Sequence, residues 1–321
     1  RTSRHPDFGY VDRYHKAYII LSTDRITERF MSARRFYDLK WGRYSFALGR
    51  RTCLMGVVNV TPDSFSDGGK FLAHDAAVAQ AERLVQEGAD VIDIGGESSR
   101  PFADPVPVEV ELERVLPVIE TLAQRVVVPI SIDTAKAAVA RRALAAGASM
   151  INDISALRHD SEMTRVAAES GVPVILMHML GSPQTMQVTP VYRDVVAEIG
   201  AFLAQAVNLA EKGGIAHDRI IIDPGIGFGK TVDHNLLLIK NLAQLQDLDL
   251  PILIGPSRKA FIRKLLKENP EEEIRPDMTI VGTGTLAAMC AAVLSGAHIV
   301  RVHEVASARA AVKIIDAILD V

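Results

Sequence analysis

The sequence predicts an α/β protein, a (β/α)8 barrel with an N-terminal β-hairpin closing its bottom. Three observations carry that expectation. Short Val- and Ile-rich runs recur along the chain, apolar on both faces, as strands covered by helices on a parallel sheet must be. Stretches of helical character, such as Asp75–Glu87 and Ala135–Ala146, separate them. Four such stretches end on a glycine just before the next run (Gly88, Gly147, Gly171, Gly296), where a left-handed cap turns the chain.

In chain order, Trp41–Leu48 and Arg51–Val58 flank the turn signal Gly49-Arg50 and are expected to form the hairpin. The barrel strands are expected at Cys53–Val60, Asp90–Gly95, Pro129–Asp133, Met150–Ile154, Pro173–His178, Ile220–Asp223, Pro251–Gly255 and His298–His303. Eight such units suit a TIM barrel of ordinary size. The segment Glu271–Glu273 is expected to be a solvated insertion.

The chain has 321 residues, 48% of them hydrophobic and 23% charged, enough to bury a large core. A net charge of -3 leaves no basic footprint for nucleic acid. Two cysteines make no disulfide framework, which favours a reducing, cytoplasmic setting. The most apolar helical run, Leu286–Leu294, falls short of the ~20 residues of a membrane span. Residues 1–36 carry eight Lys/Arg and four Asp/Glu, too many acids for a transit peptide. They are expected to be an extension outside a single domain, 37–321.

Active sites of such barrels lie at the C-terminal strand ends. Those ends carry Asn59, Glu97-Ser98-Ser99-Arg100, Asp133, Asn152-Asp153, His178, Asp223, Ser257-Arg258-Lys259, Arg301 and His303. Charged or ionisable groups within or at the end of apolar runs are costly unless paired or bound to ligand, which singles out Asp133, Asp223, Arg301 and His303. Two apparent motifs fail. DPGIGFGKT (223–231) has Pro224 where a phosphate loop needs glycine, and VGTGTLAA (281–288) follows no convincing buried strand. His178 reads as a structural histidine, and Met177, Met179 and Met186 as packing.

The inventory suits three ligand groups. Asp133, Asn152 and Asp223 match the N–H donors of an amino-pyrimidine ring, and Lys259 can donate to a ring carbonyl or nitrogen. Arg301, His303, Asn59, Ser99 and Arg100 form a donor-rich cationic group for phosphate oxygens. Asn59 can also coordinate Mg²⁺ beside a diphosphate. Backbone N–H groups near Ala260, behind Ser257, suit a carboxylate.

The strings NVTPDSFSDGG (59–69), GGESSRP (95–101), SIDT (131–134), INDIS (151–155), DPGIGFGKT (223–231), GPSRKAFI (255–262) and RVHEV (301–305) closely resemble dihydropteroate synthases of folate biosynthesis. The resemblance runs from about residue 40 to 321. It implies that 6-hydroxymethyl-7,8-dihydropterin diphosphate condenses with para-aminobenzoate, and that the diphosphate leaves before the arylamine attacks. It implies that Asp133, Asn152, Asp223 and Lys259 hold the pterin, and that Asn59, Ser99, Arg301 and His303 hold the diphosphate, with Mg²⁺ on Asn59. It further implies that Phe65, Arg100, Pro101, Phe228, Ser257 and Ala260 face para-aminobenzoate. Asp133, Lys259, Arg301 and Asn59 would then stand nearest the chemistry, in a homodimer built through the late helices. The chain departs from the family pattern at Ser99 for Thr, Phe102 for Gly and Glu304 for Asp. A pterin-binding methyltransferase of the related barrel family and a catalytically weak pterin-binding homologue are the alternatives.

Overall fold

A computed structural model describes residues 34–61, 69–100 and 103–321. Two antiparallel strands come first, β1 (Tyr37–Trp41) and β2 (Tyr44–Leu48), paired from Tyr37 with Leu48 to Trp41 with Tyr44. The hairpin therefore turns at Gly42-Arg43, one strand upstream of the expected Gly49-Arg50. The reason is burial: β3 (Cys53–Asn59) is covered on both faces for nearly its whole length, which a two-stranded hairpin cannot provide. Gly42 supplies the left-handed backbone of the tight turn, with φ +49°.

Seven further strands follow β3: β4 (Val91–Gly95), β5 (Ile130–Asp133), β6 (Met150–Asp153), β7 (Val174–Met177), β8 (Ile220–Asp223), β9 (Leu253–Ile254) and β10 (Ile299–Val302). All neighbours pair in parallel, in the order β8-β7-β6-β5-β4-β3-β10-β9, and a parallel bridge between Ile222 and Ile252 joins the ends. Each predicted run contains its strand, and the ring is the expected TIM-type barrel. The helices are α1 (Gly69–Gln86), α2 (Val108–Arg125), α3 (Ala137–Ala146), α4 (Glu162–Ser170), α5 (Val195–Lys212), α6 (Val232–Lys240), α7 (Ala260–Leu265), α8 (Thr279–Leu294) and α9 (Val305–Leu319). Gly147 and Gly171 end α3 and α4 in the left-handed region, as predicted. VGTGTLAA lies wholly inside α8 and so has no strand before it, the context a dinucleotide fingerprint requires.

The hairpin does close the bottom of the barrel. Leu39, Trp41 and Leu48 pack in one cluster with Cys53, Met55, Val91, Met150, Ile175, Ile221, Leu253 and Ile299. Those eight residues come from the first half of their strands, so the cluster plugs the N-terminal end. The lead into the hairpin is tied down as well: buried Arg34 donates to Gly49 O, Thr52 Oγ1 and Ala297 O, and pairs with Asp316 of α9 at 3.0 Å. No helix among the described residues is long and apolar enough to cross a membrane.

Candidate active site

Side chains two apart on a strand share a face about 6.6 Å apart along the barrel axis. The inward row therefore climbs from the apolar plug into a polar layer within one pleat. Val91 gives way to Asp93, Met150 to Asn152, Ile221 to Asp223 and Ile299 to Arg301. Hydrophobic collapse of the lower row thus sets the height at which the charges meet.

At the centre of this layer, Arg301 Nε donates to Asp93 Oδ2 at 2.7 Å and its Nη2 to Asp133 Oδ2 at 2.8 Å. Asn152 Nδ2 donates to the same Asp93 oxygen at 3.0 Å. Asp133 and Asn152, read as ring-binding, and Arg301, read as phosphate-binding, thus meet in one layer through Asp93 and Arg301. Burial, with Asp93 close by, raises Asp133 well above the usual carboxylate range, although Arg301 opposes the shift. Asp223 is pushed up to about 6, again by burial, and the Gly225 N–H at 2.7 Å restrains it.

Lys259 sits over the Phe228 ring, 3.9 Å from its centroid, and burial next to Arg301 lowers its ammonium to about 8. Phe228 in turn packs against Met177, Met179 and Met186. Behind it, buried Lys230 donates to Phe228 O at 2.9 Å and contacts His178 Nδ1 at 3.0 Å. His178 is held down to about 3 by burial and by Lys230, hence neutral and structural.

Ser257 Oγ and His303 Nδ1 meet at 2.9 Å, which joins the ends of β9 and β10. Burial and the cations Arg301, Arg258, Lys259 and Arg100 hold His303 down to about 3, so its ring is neutral. Glu304 anchors Arg258, whose backbone is left-handed (φ +58°), through Nη2 at 2.7 Å. The departure at Glu304 therefore has a partner. Ala260 opens α7 in an exposed position.

Ser99 is half-buried and Arg100 exposed, on the loop after β4. Asn59 ends β3, and its side chain has no hydrogen-bond partner among the described residues. Phe65, Pro101 and Phe102 lie outside the described residues.

Three charged groups, two of them buried and Lys136 half-buried, escaped the sequence reading. Asp93 stands in the apolar run Val91–Gly95 just as Asp133 does in its own, and the same criterion would have found it. Lys230 was hidden inside the rejected phosphate-loop string. Lys136 bridges Glu97 at 2.7 Å and fully buried Glu111 at 2.6 Å, a pairing no local pattern announces. Conversely, Asp153 faces away from the site. It caps its own turn, accepting from Ser155 N, Ser155 Oγ and Leu157 N.

A parallel barrel with carboxylates, cations and an amide gathered at its C-terminal mouth has the architecture of a small-molecule enzyme. A family described as pterin binding enzyme matches residues 55–303. A dihydropteroate synthase of Synechocystis sp. is 47% identical over 278 residues, 86% of this chain and 93% of that protein. The structure of Xanthomonas albilineans dihydropteroate synthase with 4-aminobenzoic acid has TM-score 0.81 and 45% identity, covering 89% of this chain and all of that one. The same species' enzyme in complex with 7,8-dihydropteroate has TM-score 0.78 and 43% identity over 88% and 99%. The chain belongs to the pterin-binding enzymes and, within them, to the dihydropteroate synthase family of transferases.

Proposed function

We propose that this chain condenses 6-hydroxymethyl-7,8-dihydropterin diphosphate with para-aminobenzoate, giving 7,8-dihydropteroate and diphosphate. The observation that carries the reading is the buried layer in which Arg301 is gripped by Asp93 and Asp133, beside Asp223 and Lys259. Asp133, Asn152 and Asp223 accept from the pterin ring, and Lys259 donates to it. Arg301, His303, Ser99 and Asn59 hold the diphosphate, whose growing negative charge as the C–O bond breaks is the main thing to stabilise. The arylamine nitrogen then bonds to the exposed methylene carbon and loses its proton. Ser257, Phe228 and the start of α7 at Ala260 face para-aminobenzoate, and Phe65, Arg100 and Pro101 cover it.

Mg²⁺ fits this donor set. No group of three or more His, Cys, Asp or Glu side chains among the described residues forms a metal cage. A hard cation that shares substrate phosphates needs only an oxygen such as that of Asn59, which is unengaged among the described residues. When bound, it would neutralise departing diphosphate.

The domain is read as 37–321 with 1–36 as an extension, and the contacts of Arg34 extend the domain's start to that residue. The two cysteines are unbridged, in keeping with a cytoplasmic setting. Exposed Ile280 and Leu294 on α8 and Ile314 and Ile318 on α9 offer an apolar face for a second copy. Diphosphate release that depends on both Mg²⁺ and para-aminobenzoate, with dihydropteroate as product, tests the reaction. Pterin binding without turnover would mark a non-catalytic homologue.

A further inference from the structure

We propose that Asp93 is a positioning residue of this site, aiming the guanidinium of Arg301 and deciding which end of the Asn152 amide meets the pterin. The inference rests on the roles given above to Arg301 and Asn152.

Asp93 lies in β4 with no exposed surface, and a single oxygen, Oδ2, accepts from both Arg301 Nε and Asn152 Nδ2. An ionised carboxylate only accepts, so Asn152 must turn its NH2 toward it. The amide oxygen is then the atom left for the ring. That polarity selects a ligand with an N–H donor there, where a flipped amide would select an acceptor. Arg301 is fixed by the same logic. Nε and Nη2 form one edge of the planar fork, and Asp93 and Asp133 occupy that edge. Nη1 makes no hydrogen bond among the described residues, so the outward side of the fork is kept for an anion. Without Asp93, the guanidinium keeps only one anchor and is free to turn about its last bonds. Groups that hold a ligating side chain in this way commonly matter about as much as the ligating group itself.

The isosteric variant Asp93→Asn tests this. We expect KM for the pterin diphosphate to rise ~10-fold or more and kcat to fall, with KM for para-aminobenzoate within about twofold of the parent. Affinity for 6-hydroxymethyl-7,8-dihydropterin, which lacks the diphosphate, should also fall in Asp93→Asn but hold in Arg301→Ala. Unchanged constants in a folded Asp93→Asn overturn the proposal. So does an equal rise in both KM values with a lowered melting temperature, which is the mark of a purely structural role. Should Asp93→Asn not fold, a crystal structure of the unaltered chain with 6-hydroxymethyl-7,8-dihydropterin decides. Asn152 Oδ1 on a ring N–H, with Nδ2 on Asp93, supports the proposal, and Nδ2 on the ring overturns it. That crystal also separates the two ideas, since a parent that binds pterin but lacks turnover refutes the reaction and not the role of Asp93.

Discussion

Arg301 and Asp133 stand 168 positions apart in the chain, yet Nη2 of one lies 2.8 Å from Oδ2 of the other. The contact runs across the barrel mouth, between β10 and β5, and only the closed ring brings those ends together.

Arg301→Ala leaves Asp93 and Asp133 buried without their cation. Breaking a buried pair in this way costs on the order of 3 kcal/mol, so the melting temperature should fall by several degrees. Calorimetry with pterin diphosphate should show at least ~100-fold weaker binding, while the diphosphate-free pterin still binds. A variant with lowered stability but intact diphosphate affinity would falsify the assignment of Arg301 to the anion.

Asp223 gives a pH dependence of known sign. Its folded-state pKa of about 6 lies above the usual 3.8, so the free folded chain takes up this proton as pH falls through about 6. The stability it contributes is full below about 3.8 and is lost as pH rises through about 6. Ligand binding runs the other way, because only the carboxylate accepts two ring N–H bonds. Pterin affinity should therefore fall below about pH 6, with proton release on binding there. A flat affinity between pH 5 and 7.5 would remove Asp223 from the ring contacts.

Lys136 carries a separate expectation. Its ammonium bridges fully buried Glu111 and Glu97, and Glu97 Oε1 accepts from Val106 N at 2.7 Å, tethering the loop that bears Ser99 and Arg100. Lys136→Met strands Glu111, at a cost of roughly 3 kcal/mol. Steady-state kinetics should show a raised KM for para-aminobenzoate, with the pterin KM less affected. Equal effects on both would make the bridge a stability element alone.

Trp41 tests the division between the two ends of the barrel. It is 6% exposed, within the plug beneath the polar layer. Trp41→Ala should cost ~3–5 kcal/mol in chemical denaturation. At a temperature where the variant remains folded, both KM values should stay close to the parent's.

The alternation of buried runs and capped helices was enough to foretell the barrel, because every strand of a covered parallel sheet must be apolar on both faces. Asp133, Asp223, Arg301 and His303 were legible as candidates because an ionisable group within or at the end of such a run needs a partner or a ligand, whereas Asn152 and Lys259 stood out only as polar groups at or beyond strand ends. Two things were not legible. The hairpin register depended on whether Cys53–Asn59 would be covered on one face or two, and only barrel closure settles that. How Lys136 meets Glu111 and Lys230 meets His178 depends on the packing of helices and loops around the ring, and the pairing of Arg301 with Asp93 depends on which inward rows share a height. That height is set by strand stagger around the ring, a property of the assembled sheet and not of any segment.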